Sequence, residues 1–96
     1  MNHKVIKKLK DIIKQRKIDM PNDSYVANLF KKGKVKIANK LGEESVETIS
    51  AFLAEGNNEL LEESADLLFH LMILLEFSDL SLEDVFKVLE KRMKND

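Results

Sequence analysis

The sequence predicts an all-α fold of four or five helices in one domain that spans residues 1–96. Apolar residues recur at offsets of three, four and seven, which is the period of a helix face. Only three glycines and one proline interrupt the chain, too few for a turn-rich β fold. A domain of this size builds only a modest core, so association with a second subunit would help to complete it.

The first two helices are separated by the only proline. The first carries one apolar face made of Val5, Ile6, Leu9, Ile12 and Ile13. It should end at Met20-Pro21, because proline disfavours helix at the residue before it. Asp23 or Ser24 can cap a short second helix that runs to about Lys32, and Gly33 fits its C-terminal cap.

The third and fourth helices are the long ones. The third should run from about Val35 to Glu55, with Gly42 inside it. An interior glycine costs about 0.5–1 kcal/mol relative to alanine. Gly42 therefore indicates either close helix packing or room for a ligand. The fourth helix should run from a cap at Asn57 or Asn58 to about Phe77.

The last helix should begin after Ser81, which is spaced from Asp84 as in a capping box. One face of it is apolar and consists of Leu82, Val85, Phe86, Leu89 and Met93.

Composition excludes several classes of function. The 16 Lys and Arg nearly balance the 17 Asp and Glu, which argues against a general nucleic-acid binder. The chain has no Cys, so disulfides and thiolate metal sites are excluded and a reducing cytoplasm is the default. The longest apolar run, Leu71 to Leu75, is too short to cross a bilayer, and the N-terminus lacks a signal peptide. We therefore expect a cytoplasmic protein without a nucleic-acid or membrane partner.

The third helix has an apolar side and a charged side. The apolar side consists of Ile37, Ala38, Leu41, Val46, Ile49, Phe52 and Leu53, and the charged side of Lys36, Lys40, Glu43, Glu44 and Glu47. Acids three or four residues apart destabilise an isolated helix by a few tenths of a kcal/mol, roughly. The three glutamates therefore indicate a positive charge among them, although a solvated acidic face and a Lys40–Glu44 pair are the plainer alternatives.

The fourth helix places acids inside an apolar stretch. Between Ala65 and Leu75 only Asp66 and His70 are polar, and the apolar residues point in every direction. Such a helix should be buried on all sides, which predicts a partner subunit. A buried carboxylate needs a counterion, and a lysine or a metal could supply it. For His70, a hydrogen bond to Asp66 or to the backbone is favoured over metal ligation.

The two acidic pairs form a metal-binding pattern. Glu44-x-x-Glu47 is followed, after fifteen residues, by Glu63-x-x-Asp66. Carboxylate oxygens without Cys ligands, and with only His3 and His70 as imidazoles, favour Mg²⁺ over zinc or copper, with Mn²⁺ as the alternative. Mg²⁺ is usually held by a few carboxylates together with substrate phosphates and water. The pattern therefore predicts that Glu44, Glu47, Glu63 and Asp66 bind metal for the cleavage of a nucleotide phosphate chain.

These motifs together resemble the phosphoribosyl-ATP pyrophosphohydrolase family, within the all-α MazG-like nucleotide pyrophosphohydrolase superfamily. The resemblance rests on Lys36–Glu47, Glu62–Leu71, Ser24-Tyr25 and the Gly33–Ile37 turn. Val26 stands where the family has Thr, and Phe69 where Tyr is frequent. The resemblance implies a MazG-like helical bundle completed by homodimerisation. It also implies hydrolysis of 1-(5-phosphoribosyl)-ATP to 1-(5-phosphoribosyl)-AMP and pyrophosphate, the second step of histidine biosynthesis.

The site residues take the following expected roles. Metal-assisted water attack is predicted, with Glu43, Glu44 and Glu47 as the catalytic carboxylates. Glu43 or Glu47 would orient or deprotonate the water. The substrate-binding candidates are Ser24, Tyr25, Lys36, Lys40 and Arg92. The chain lacks a cyclohydrolase domain, so we expect the stand-alone form with a functional link to a separate phosphoribosyl-AMP cyclohydrolase.

Three alternatives stay open on the residues alone. The substrate could be another nucleoside triphosphate, or the chain could be a non-catalytic helical dimerisation module whose acids are surface charges. A di-iron bundle is the weakest, because the two Glu-x-x-His motifs that it needs are absent.

Overall fold

The computed structural model describes residues 4–94, and within that range the chain forms five α-helices and no strand. They are α1 (Lys4–Asp19), α2 (Tyr25–Lys32), α3 (Lys34–Ala54), α4 (Asn57–Phe77) and α5 (Leu82–Met93). The all-α fold is thus confirmed. The long α3 and α4 form an antiparallel hairpin with the most extensive contact between any two elements. No helix within residues 4–94 is both long and apolar enough to cross a membrane.

The breaks between the first three helices follow the sequence signals. Met20 ends α1 in a left-handed conformation, φ 51°, and its N–H donates to the Arg16 carbonyl at 2.9 Å. Ser24 is the cap of α2, since its hydroxyl accepts from the Ala27 N–H at 3.1 Å. Gly33 separates α2 from α3 at φ 92°, a conformation that favours glycine.

The caps of the last two helices differ in how well they were predicted. Gly56, in extended conformation, precedes α4, and Asn57 is already helical, so the predicted cap at Asn57 or Asn58 is wrong. No side chain caps this start with a hydrogen bond. Ser81 and Asp84 form the predicted capping box, in which the Ser81 N–H donates to Asp84 Oδ2 at 3.0 Å.

The core lies where all five helices converge. Its buried members are Ile13, Val26, Leu29, Ile37, Met72, Ile73 and Leu82. The predicted apolar face of α1 is too broad, because Val5 and Ile12 are exposed while Ile13 is buried. On α5, likewise, the outer residues Leu89 and Met93 are exposed. The core therefore uses a narrower stripe of each helix than the periodicity indicates.

The apolar face of α3 is buried at Ile37, but its later part points away from the rest of the chain. Val46, Ile49, Phe52 and Leu53 are 63%, 58%, 71% and 74% exposed. On α4, Ala65 and Leu68 are also exposed, so burial on all sides is not achieved within one chain. A Cβ added at Gly42 would meet nothing within 4 Å, so packing inside the chain does not require this glycine. The outer side of the α3–α4 hairpin is thus an uncovered apolar surface.

Candidate active site

The α3–α4 hairpin brings the two acidic pairs together. One carboxylate oxygen each from Glu44, Glu63 and Asp66 lies within 4.8 Å of the others. Glu44 is only 7% exposed, Glu63 is half-buried and Asp66 lies at the surface. We call these three residues the acidic cluster. The antiparallel packing produces it, because residues near the middle of α3 lie beside the first half of α4.

Glu47 adjoins the acidic cluster from one turn further along α3. Burial raises the pKa of Glu44 above its usual range, and the hydrogen bond and charge of Glu47 raise it further. The pKa of Glu63 is raised by the same causes, desolvation first and Glu47 second. Converging carboxylates in a partly dehydrated place favour the protonated form unless a cation joins them. All four acids of the predicted pattern therefore influence one another.

Two oxygens of the acidic cluster are left without partners. Glu44 Oε2 and Glu63 Oε2 are buried and have no hydrogen-bond partner among the described residues. Buried polar atoms are almost always satisfied, so such atoms call for an explanation. The donor set is carboxylate oxygen only, which suits a hard divalent cation such as Mg²⁺ or Mn²⁺. The residues present thus fit a metal ion of this kind.

Lys40 forms the positive side of the site. Its ammonium lies 3.1 Å from Glu43 Oε2 and 4.0 Å from Glu44 Oε1. Glu43 is exposed and pairs with Lys40 instead of entering the acidic cluster. Lys36, one turn before Lys40, is half-buried at the start of the same helix. The cation of Lys40 therefore stands between the surface and the buried carboxylate.

His70 on α4 and Tyr25 on α2 lie near the acidic cluster. His70 Nδ1 is 2.7 Å from the Asp66 backbone oxygen, so His70 is the hydrogen-bonded core histidine that the sequence favours. Tyr25, the first residue of α2, places its hydroxyl 2.7 Å from His70 Nε2. His3, the other imidazole, lies outside the described residues. Ser24 stands next to Tyr25 with its hydroxyl engaged in capping α2.

The sequence did not predict two features of the site, the hydrogen bonds of Thr48 and the Tyr25–His70 hydrogen bond. Thr48 Oγ1 lies 2.8 Å from the Glu44 carbonyl and 3.1 Å from the Glu63 carbonyl, and so ties α3 to α4 beside the acids. The Tyr25–His70 hydrogen bond joins residues 45 positions apart, which no local pattern reveals. Arg92 is exposed in the last turn of α5, and no contact described for residues 4–94 links it to the acidic cluster.

Comparison with known proteins agrees with the motifs. The family model of phosphoribosyl-ATP pyrophosphohydrolase matches residues 6–93. A phosphoribosyl-ATP pyrophosphatase of Metallosphaera sedula is 47% identical over 90 residues, covering 94% of this chain and 97% of the relative. One of Pyrobaculum arsenaticum is 47% identical over 94 residues, covering 98% of this chain and 100% of the relative. One of Saccharolobus islandicus is 40% identical over the same coverage. The chain therefore belongs to the phosphoribosyl-ATP pyrophosphohydrolase family of enzymes, as its motifs predict.

Proposed function

We propose that this chain hydrolyses 1-(5-phosphoribosyl)-ATP to 1-(5-phosphoribosyl)-AMP and pyrophosphate in histidine biosynthesis. The names of the relatives support the substrate. The observation that carries the chemistry is the pair of unpartnered, buried oxygens of Glu44 and Glu63 beside Lys40. The product would pass to a separate phosphoribosyl-AMP cyclohydrolase, and we place both steps in the cytoplasm.

The metal site in this proposal consists of Glu44, Glu47, Glu63 and Asp66. Their oxygen donors and clustered charge suit Mg²⁺, with Mn²⁺ as the alternative. A divalent cation bound there supplies charge neutralisation at the phosphate oxygens and makes water more acidic. The raised pKa values of Glu44 and Glu63 support this assignment, because burial and the neighbouring carboxylates disfavour their charged forms and a bound cation would offset that cost.

The chain's own residues have the remaining roles. Glu47 is the better placed of the two candidate bases, since it lies close enough to Glu44 and Glu63 to raise the pKa of both and is itself exposed. Glu43 is already paired with Lys40. Lys40 and Lys36 contact the phosphates, with Ser24 and Arg92 as further candidates, and the half-exposed ring of Tyr25 contacts the nucleotide. Water is thus oriented on the acidic side and the leaving pyrophosphate is balanced on the basic side.

The test is a direct assay of pyrophosphate release with Mg²⁺, using phosphoribosyl-ATP, ATP and dUTP at equal concentrations. We expect turnover of phosphoribosyl-ATP and little of the others. Turnover of an ordinary triphosphate instead would move the chain to the alternative nucleotide substrate. No turnover of any of them, together with no effect of Mg²⁺ on the melting temperature, would leave the helical dimerisation module.

A second copy of the chain completes the bundle in this proposal. The exposed stripe of Val46, Ile49 and Leu53 on α3 repeats at offsets of three and four, as expected of a helix that packs against another helix. Light scattering should give a dimer for the wild type and a monomer for Ile49→Glu. The matched control is Val88→Glu, which places the same charge at an exposed valine of α5. A wild-type monomer at micromolar concentration would contradict the proposal.

A further inference from the structure

His70 is a buried side chain, 6% exposed, and both of its ring nitrogens have a partner. Nδ1 lies 2.7 Å from the Asp66 carbonyl oxygen, and Nε2 lies 2.7 Å from the Tyr25 hydroxyl. A carbonyl oxygen can only accept, so Nδ1 carries a proton and donates it. In the neutral ring, Nε2 is then an acceptor and the Tyr25 hydroxyl donates to it. The two contacts together fix the tautomer and the direction of both hydrogen bonds.

The Tyr25 ring is held by its neighbours but is not covered by them. It stacks on Phe69 with the centroids 6.4 Å apart and lies edge-on to His70 at 5.7 Å. Even so, Tyr25 is 48% exposed. Burial raises the pKa of the phenol, and the charge and hydrogen bond of Lys40 oppose that rise. Tyr25 is therefore an oriented aromatic surface that faces solvent beside the basic side of the site.

Two hydrogen bonds form a directed chain from α2 to α4. Tyr25 on α2 donates to His70, and His70 donates to the turn of α4 that carries Asp66. Tyr25, a proposed substrate contact, is thus connected to the helix that bears Glu63 and Asp66. His70 is the buried member of this chain, whereas Tyr25 is half-exposed.

We propose that His70 is a positioning residue, which as the Nδ1–H imidazole holds the Tyr25 ring in the orientation that receives the nucleotide. The inference rests on the proposed hydrolysis of phosphoribosyl-ATP at the acidic cluster. His70 acts through Tyr25 and does not touch the substrate. A preoriented ring contributes equally to binding of the substrate and of the transition state, so its loss raises KM and changes kcat little.

The kinetic test compares His70→Asn with His70→Gln. Gln places an amide oxygen near the position of Nε2 and can accept from Tyr25, whereas Asn reaches only the position of Nδ1. We expect His70→Asn and Tyr25→Phe each to raise KM about 3- to 10-fold, the equivalent of one lost hydrogen bond. His70→Gln should stay within about twofold of the wild type, and the double variant Tyr25→Phe/His70→Asn should be no worse than either single variant.

An NMR test does not depend on turnover. The imidazole ¹⁵N shifts report the tautomer, and the chain has only two histidines, so a His3→Gln variant assigns the signals. We expect the Nδ1–H form for His70 and a shift of its Nε2 signal in Tyr25→Phe. If phosphoribosyl-ATP were not a substrate, this arm would still test the contact separately.

Three results would overturn the inference. The first is an Nε2–H tautomer of His70, or a His70 Nε2 chemical shift that is unchanged in Tyr25→Phe. The second is an equal rise in KM for His70→Gln and His70→Asn, and the third is a multiplicative loss in the double variant. Should His70→Asn fail to fold, Tyr25→Phe against His70→Gln and the NMR arm decide the question.

Discussion

Two groups of carboxylates lie beside α4, one in its first half and one near its end. They differ in how their negative charge is balanced. Near the end of α4, buried Glu76 is neutralised from within the chain by Lys17 of α1, whose ammonium lies 3.3 Å from Glu76 Oε2, 2.7 Å from the Glu76 carbonyl and 2.9 Å from Asp79 Oδ1. In its first half, Glu63 and Asp66 meet Glu44, and buried oxygens stay unpartnered. The first group is complete as folded, whereas the second keeps oxygens without a hydrogen-bond partner among the described residues.

The pKa directions express this contrast. The hydrogen bond of Lys17 lowers the pKa of Asp79, and the hydrogen bond of Asp79 raises the pKa of Lys17, so each favours the charged form of the other. In the acidic cluster, burial and Glu47 raise the pKa of Glu44 and Glu63, so the charged forms are disfavoured. The direction of the pKa shift thus distinguishes a salt bridge that stabilises the fold from a site whose carboxylates disfavour their charged forms.

The largest expected effect is on activity when the acidic cluster loses a ligand. Glu44→Gln or Asp66→Asn should lower kcat/KM by more than about 100-fold, because each removes a charged oxygen from the metal site. The metal-free fold should be at least as stable as the wild type, since like charges are relieved. Kinetics with phosphoribosyl-ATP and urea unfolding measure the two effects.

The matched control for that pair is Glu62→Gln, which removes an exposed acid next to Glu63 on α4. It should leave activity within about twofold of the wild type, as surface changes usually do. Near-normal activity of both Glu44→Gln and Asp66→Asn would instead remove the acidic cluster from the mechanism.

The second effect is stabilisation by metal. A ligand at 100 times its dissociation constant stabilises a folded protein by about 2.7 kcal/mol when it does not bind the unfolded chain. Saturating Mg²⁺ should therefore raise the melting temperature of the wild type by several degrees and that of Asp66→Asn much less. An equal rise in both proteins would show that the ion acts elsewhere.

The third effect concerns the completed group at the other end of α4. Lys17→Met should lower the free energy of unfolding by about 1–3 kcal/mol, since it leaves Glu76 buried without its partner. Activity of the folded variant should remain near that of the wild type. Asp79→Asn should cost less, because Asp79 is exposed and its ion pair is screened by solvent. Urea midpoints of the wild type, Lys17→Met and Asp79→Asn would rank their stabilities. A Lys17→Met more stable than the wild type would contradict the claim that Lys17 stabilises the fold by neutralising Glu76.

The fourth effect is a pH dependence of opposite sign in the two groups. Glu44 and Glu63 have a folded pKa above the ordinary glutamate value of 4.5, so the metal-free protein loses stability as the pH rises from 4.5 through those raised values. Asp79 has a folded pKa below 3.8, so its contribution is present above 3.8 and is lost as the pH falls through the lowered value. Unfolding in EDTA at several pH values should show the first slope reduced in Glu63→Gln and the second reduced in Asp79→Asn. Unchanged slopes in these variants would contradict the assignment.

Spacing predicted the parts of the molecule that local sequence determines. The offsets within Glu44-x-x-Glu47 and Glu63-x-x-Asp66 were enough to expect a shared site, because helical geometry fixes which residues are neighbours. Spacing could not say which side of α3 faces inward. Burial of Glu44 and exposure of Phe52 reverse the usual order, since the packing of α3 on α4 is set by the whole assembly and not by the polarity of one helix.

Contacts between residues far apart in the chain could not be predicted from the sequence either. Tyr25 and His70 meet only because α2 packs across the hairpin, and the Thr48 hydroxyl gains its second partner from α4. Both contacts join residues far apart in the sequence, and no residue pattern signals that such residues meet. A single sequence was therefore enough to predict which acids form the cluster and which ions suit their oxygens, while the surrounding hydrogen bonds required the three-dimensional arrangement.

The smallest expected effect is at Gly42, next to the acidic side of α3. A Cβ there meets no atom of the described chain within 4 Å, so Gly42→Ala should stabilise the isolated chain by about 0.5–1 kcal/mol through helix propensity. Ser50→Ala, at an exposed position of the same helix, is the control for propensity alone. The chain itself leaves the space beside Gly42 open, so a substrate or a second subunit can occupy it. We therefore expect Gly42→Ala also to raise KM or to weaken dimerisation. Ser50→Ala should do neither. Full activity and unchanged association in a stabilised Gly42→Ala would mean that neither substrate nor partner uses this space.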